Sequence, residues 1–188
     1  MAFTIDYKGQ KVLIGGDMEV GRRGNSKYNY HVCVADCAPH DECGWCDVKE
    51  NSAIYHHCRP YSMVKIPHHS SVTGYCPKMW PHDMIADSSI ATTTVFENGN
   101  AEDLPTREML ILYHSLCSQL YITHSNIQQG EYDITDIVDD DDIEVEDRYI
   151  EGIGVVVCRW KQQNGNWSVH TYGEGCLVTD DYIANYHI

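Results

Sequence analysis

Two short stretches carry the residue types best suited to chemistry. Leu13-Ile14-Gly15-Gly16-Asp17 and Val64-Lys65-Ile66-Pro67-His68-His69-Ser70-Ser71 are each an apolar run that stops at metal-capable side chains. Asp17 ends the first, and His68 and His69 end the second. Apolar runs of this length, bounded by Gly or Pro, read as buried strands. A strand end is a rigid place from which to hold a ligand, and carboxylate with imidazole suits Zn²⁺, Mn²⁺ or Fe. Taken singly, the same residues have a plainer reading: Asp17 caps a turn and the histidines sit in a loop.

A second cluster lies between them. Cys33-x₃-Cys37-x₅-Cys43-x₂-Cys46 has His40 inside it and His56, His57 and Cys58 after it. Four thiolates in two close pairs fit a tetrahedral zinc site, which can hold together a segment too small for a core of its own. His40, or His57 with Cys58, would replace one thiolate. Cys43-Gly44-Trp45-Cys46 also has the spacing of a redox pair. That motif should open a helix after an apolar strand, whereas here it follows Ala38-Pro39-His40-Asp41-Glu42. Buried free or oxidised thiols are the third reading. The chain has nine cysteines, so at least one is unpaired within a monomer.

Several elements must position these groups. Phe3–Tyr7 and Lys11–Gly15 flank Lys8-Gly9-Gln10 and read as a β-hairpin. The polar stretch Gly21-Arg22-Arg23-Gly24-Asn25 is a loop just past Asp17. Ser62–Ile66 is the strand that delivers the histidines. Pro77–Ile85 reads as helical, and the β-branched Ile90–Phe96 as a strand. Thr106 is placed to cap a helix whose Met109, Leu112, Tyr113 and Leu116 recur at helical spacing. With Leu120–Thr123 as the returning strand this is a β-α-β unit. Gly154–Trp160 and Trp167–Tyr172 form a further hairpin, in which Cys158, like Cys176 beyond it, is a small core residue rather than a ligand.

The formal net charge of −15 argues against a broad basic surface for nucleic acid. Much of it is local: ten acidic residues and no Lys or Arg lie between Glu131 and Asp147. That segment, with Asp139-Asp140-Asp141-Asp142, reads as a solvated loop. Acidic sites still bind phosphodiesters when metal ions supply the positive charge. No apolar run reaches membrane-spanning length. The opening Met-Ala-Phe-Thr-Ile-Asp lacks the basic and apolar regions of a secretory signal. The expectation is therefore a cytoplasmic protein with no membrane partner.

The order of these features resembles the C-terminal half of a metallo-β-lactamase-fold hydrolase, of the branch related to competence-type DNA-uptake enzymes. The likeness is carried by Gly16-Asp17, Lys65-Ile66-Pro67-His68-His69-Ser70-Ser71, Gly74-Tyr75-Cys76-Pro77-Lys78-Met79-Trp80, Ile90–Phe96 and Leu104-Pro105-Thr106-Arg107-Glu108, and ends around Leu120–Thr123. It covers roughly residues 2–125 in collinear order. The resemblance implies an α/β (α+β) fold, the C-terminal half of an αββα sandwich. Residues 31–58 would be a Cys-rich zinc-binding insertion, 126–150 an acidic loop, and 151–188 a closing hairpin and tail of the same domain.

The resemblance further implies a two-metal centre, of zinc or else Mn or Fe, at strand ends. Asp17 would bridge the metals, and His69 rather than His68 would be the ligand. His68 would then support that ligand or face substrate, with Ser70 and Ser71 contacting the ligand histidine or a phosphate oxygen. The reaction would be phosphodiester hydrolysis of DNA or a nucleotide. The family's first metal motif, His-x-His-x-Asp-His, does not occur in these residues. The expectation is thus half an enzyme, completed by a second polypeptide or upstream segment across a large apolar sheet face. The rival expectation is a catalytically inactive, zinc-stabilised interaction or structural module, for example of a virus particle.

Overall fold

A computed structural model describes residues 2–16, 45, 48, 52–77, 80, 85–96, 103–124, 132–133, 149–150 and 154–186. Asp17, Cys33, Cys37, Cys43 and Cys46 lie outside the described residues, as do most of the insertion and residues 134–148. The chain divides into two units, residues 1–120 and 121–188.

The first unit opens with β1 (Phe3–Tyr7) and β2 (Gln10–Ile14), paired antiparallel with Tyr7 opposite Gln10. Lys8 and Gly9 between them both have positive φ, 51° and 82°, the two-residue turn whose twist matches the flanking strands. Helix α1 (Ala53–Cys58) follows, then β3 (Tyr61–Lys65), which runs parallel to β2. β4 (Ile85–Thr93) is parallel to β3. Helix α2 (Arg107–Leu116) leads to β5 (Gln119–Ile122), whose first two residues close the unit. The strand order is β1-β2-β3-β4-β5.

On one sheet face Thr4, Leu13, Val64 and Ala91 stand in register. Leu13, Val64 and Ala91 are fully buried, which is why β2 and β3 read as apolar runs. Thr106 caps α2, its hydroxyl accepting from the Met109 N–H at 3.3 Å. The buried side of α2 is Met109, Leu110 and Tyr113; Leu112 and Leu116, expected inside, are half-buried. Tyr113 sets this rotation by packing edge-on to Trp80 at 5.0 Å and to Tyr75 at 6.0 Å between ring centroids.

β4 begins at Ile85, where a helix was expected to end. Its pairing of Ile85 with Tyr61 overrides the poor strand propensity of Asp87-Ser88-Ser89, as partner strands commonly do. Most of the stretch expected to be helical, 77–85, lies outside the described residues; within it the Trp80 N–H donates to the Cys76 carbonyl at 3.1 Å.

In the second unit, Tyr121 and Ile122 of β5 pair antiparallel with β10 (Cys176–Leu177). β6 (Tyr132–Asp133) and β7 (Tyr149–Ile150) form a two-residue ladder that flanks the acidic stretch. β8 (Gly154–Lys161) and β9 (Asn166–Gly173) make the expected hairpin, with Trp160 and Trp167 edge-to-face at 5.5 Å. A short helix α3 (Asp180–Ala184) is capped by Thr179, whose hydroxyl accepts from the Tyr182 N–H at 3.1 Å. The reading of 151–188 as hairpin and tail overlooked α3, although Thr179 before Asp180-Asp181 is a helix-start signal. No described helix is long and apolar enough to cross a membrane.

Candidate functional site

The carboxyl ends of β2 and β3 are stitched together by backbone. The Gly15 N–H donates to the Lys65 carbonyl at 3.0 Å, and the His68 N–H to the Gly16 carbonyl at 2.7 Å. A Cβ on Gly15 would lie 2.7 Å from the Pro67 Cβ and 2.9 Å from its backbone nitrogen. Only glycine lets these two segments approach so closely. Asp17 is the next residue after Gly16, so the sequence places it one residue from the backbone that holds His68.

The chain then does something unusual. His68, His69 and Ser70 have φ of 46°, 49° and 58° in succession. Left-handed backbone costs roughly 1–2 kcal/mol per non-glycine residue, so this turn needs support from outside itself. Buried Ser70 supplies some, donating its hydroxyl to Thr93 Oγ1 of β4 at 2.6 Å. The Ser71 N–H closes the turn onto the His68 carbonyl at 2.8 Å, and Ser71 Oγ accepts from the Gly74 N–H at 3.1 Å.

Both imidazoles are gripped by their Nδ1 atoms. His69 Nδ1 lies 3.3 Å from the Thr94 carbonyl oxygen and 2.9 Å from Thr94 Oγ1. A carbonyl oxygen only accepts, so the 3.3 Å contact is a hydrogen bond in the tautomer with the hydrogen on Nδ1, which leaves Nε2 as the acceptor. A backbone carbonyl holding the distal N–H is the usual way a ligand histidine is oriented. The Lys65 ammonium donates to the same Thr94 hydroxyl at 3.3 Å and to the Ile66 carbonyl at 3.0 Å. Phe96 stacks at a tilt on His69, 5.2 Å between centroids. His68 Nδ1 lies 2.8 Å from Ser71 Oγ and 3.1 Å from Thr73 Oγ1, hydroxyls able to donate or accept.

Thus His68, His69 and Ser71 come together at the strand ends beside Gly16, while Ser70 points inward to Thr93. Sequence reasoning missed Thr93, Thr94 and Lys65. The signal was present: Thr92-Thr93-Thr94 puts three hydroxyls at the end of the neighbouring strand. It also missed Trp45, in the middle of Cys43-Gly44-Trp45-Cys46. Trp45 is helical and fully buried, and its Nε1–H donates to the Gly74 carbonyl at 3.1 Å. Trp45 therefore reaches the core of the first unit beside Gly74, just past the histidine turn. In α1, His56 and His57 are exposed and Cys58 is buried.

The second unit holds a separate polar group. His124 Nδ1 pairs with Glu174 Oε2 at 3.3 Å, while Tyr182 OH and Cys176 Sγ both donate to the His124 carbonyl, at 2.8 and 3.4 Å. Burial pushes the Cys158 and Cys176 thiols up to about 11, which suits packing better than reactivity. Among the described residues no three His, Cys, Asp or Glu side chains converge as a metal site. No protein-family model, curated protein or solved structure matches the chain.

Proposed function

We propose that this chain is the C-terminal half of a metal-dependent hydrolase of metallo-β-lactamase fold, cleaving phosphodiesters of DNA or a nucleotide. A second polypeptide or segment carrying His-x-His-x-Asp-His would complete it. The observation that supports this best is the bond from the His68 N–H to the Gly16 carbonyl, with His69 held by Thr94 alongside. It puts the residue before Asp17 and both histidines at the carboxyl ends of adjacent parallel strands, where open α/β sheets bind ligands.

The donor set fits a borderline cation such as Zn²⁺, with Mn²⁺ or Fe as alternatives. His69 would ligate through Nε2, and Asp17 would be the shared carboxylate. Such ions, when bound, polarise a phosphoryl oxygen and acidify water. The chain's own residues do the rest. The Thr94 carbonyl would favour the tautomer of His69 with its hydrogen on Nδ1, the one a ligand needs. His68, oriented by Ser71 and Thr73, is the group that exchanges a proton with substrate or leaving group. A second, structural zinc would sit on Cys33, Cys37, Cys43 and Cys46, in a cytoplasm reducing enough to keep those thiols free.

Elemental analysis and phosphodiester hydrolysis test the reading together. The chain alone should hold about one zinc per molecule that survives Asp17→Ala combined with His69→Ala. Turnover of a model phosphodiester should appear only when a polypeptide with His-x-His-x-Asp-His is added, and Asp17→Ala should abolish it. Thr94→Val removes the hydroxyl 2.9 Å from His69 Nδ1 and keeps the carbonyl, so it should weaken metal binding at His69 by less than about tenfold. Metal-dependent turnover by the 188 residues alone, lost in Asp17→Ala, would show that the remaining ligands are in this chain. Failure of every complementing polypeptide to restore turnover, with the cysteine zinc intact, would favour the inactive interaction module.

A further inference from the structure

Phe3, Ile5 and Tyr7 project from one face of β1 and are 55, 50 and 56% exposed. The same sheet face continues through Val12 and Ile14 to Met63, all half-buried, and then to Ile90 and Thr92, which are buried. Exposure on this face therefore falls steadily from β1 inward. Among the described residues no strand lies beside the outer edge of β1, the terminal strand of the sheet order.

The hydrogen-bonding phase of β1 is fixed by its turn. A two-residue hairpin closes on a hydrogen-bonded pair, here Tyr7 with Gln10. Hydrogen-bonded and non-bonded pairs then alternate, so Phe3, Ile5 and Tyr7 bond to β2. The backbone N–H and C=O groups of Thr4 and Asp6 point outward, and no described strand pairs with them.

We propose that β1 pairs antiparallel with β1 of a second copy about a two-fold axis at Ile5. This register sets Thr4 of each copy opposite Asp6 of the other, joining the two residues whose backbone groups point outward. It also sets Phe3 opposite Tyr7 and Ile5 opposite Ile5, on one continuous apolar face. Aromatic and β-branched cross-strand pairs are the favourable ones. The hairpin carries Asp6, Lys8 and Lys11, a local balance of +1 (two lysines less one aspartate), in a chain of −15. Half-exposed, the three large side chains offer roughly 300 Å² per copy, so with the main chain the interface is at the small, reversible end of the range. The dimer does not depend on the hydrolase reading.

Sedimentation velocity of the full chain, from on the order of 10 μM to 1 mM, should show a monomer–dimer equilibrium. Ile5→Lys places two ammonium groups across the axis and should weaken it at least about tenfold. Ile111→Lys, at an exposed α2 position, should leave it unchanged. In wild type, amide exchange at Thr4 and Asp6 should slow as concentration rises, with no change at Phe3 and Ile5. That measurement decides the matter even if Ile5→Lys fails to fold. A monomer throughout, a dimer indifferent to Ile5→Lys, or exchange at Thr4 and Asp6 independent of concentration would overturn the proposal. Protection that appears only with a different polypeptide would overturn it too, assigning the edge to that partner.

Discussion

Lys8-Gly9 and His68-His69-Ser70 put the backbone in the same left-handed region for opposite reasons. The first turn is self-sufficient. One of its two residues is glycine, a Cβ at Gly9 would meet nothing within 4 Å, and its N–H is received by Asp6 Oδ1 at 3.3 Å. The second contains no glycine and leans on other strands: Gly16 after β2, Thr93 at the end of β4, and Thr94 beyond it. One turn is made by its own composition, and the other is imposed by its surroundings. Imposed strain of that kind tends to gather where side chains must be aimed.

Glycine replacement should separate the two turns most widely. Gly15→Ala would drive a methyl into the Pro67 ring and backbone, and should cost about 3 kcal/mol in urea unfolding. Gly9→Ala meets open space, and only its positive φ opposes the change, at about 1 kcal/mol. Equal losses at the two positions would remove the distinction drawn here.

The next effect concerns what holds the second turn. Ser70→Ala would leave the buried Thr93 hydroxyl without its 2.6 Å partner, at about 2 kcal/mol. Combining it with Thr93→Val should recover part of that loss, because both polar partners are then gone. Simple additivity in the double-mutant cycle would mean that this bond does not support the turn.

The smallest effect is on the first turn. Lys8→Asn keeps the turn and supplies a residue that tolerates positive φ, so it should stabilise by about 0.5 kcal/mol. A loss of stability would show that the contact of the Lys8 ammonium with the Tyr7 ring, 5.3 Å from its centroid, outweighs the relief of backbone strain.

The contrast also marks how far local reading reached. The β1–β2 hairpin, β3, the capped start of α2 and the β8–β9 hairpin were legible because each is governed by neighbours a few residues away: Gly at a turn, Thr at a cap, apolar residues at a strand's spacing. The approach of Gly16 to His68 was expected only through the resemblance, since nothing in two apolar runs ending in Gly-Gly and Pro-His makes their ends neighbours. The strand at Ile85, the choice of Leu110 over Leu112 for the core, and the burial of Trp45 were not. Each depends on partners distant in sequence: Tyr61 for Ile85, Trp80 and Tyr75 for the rotation of α2, and Gly74 for Trp45.

By itself the sequence determined that β1, β2, β3, β8 and β9 become strands, where the chain turns at Lys8-Gly9, and that His68 and His69 stand just past a buried strand. Those outcomes follow from backbone propensity and side-chain periodicity, which act over a few residues. Only the tertiary structure decided that His68, His69 and Ser70 would all take the left-handed conformation, that Ser70 would turn inward, and that Thr94 would hold His69. A run such as His-His-Ser has no local reason to adopt that backbone. It does so because hydrogen bonds from strands on either side outweigh the strain, and those strands exist only once the sheet has formed.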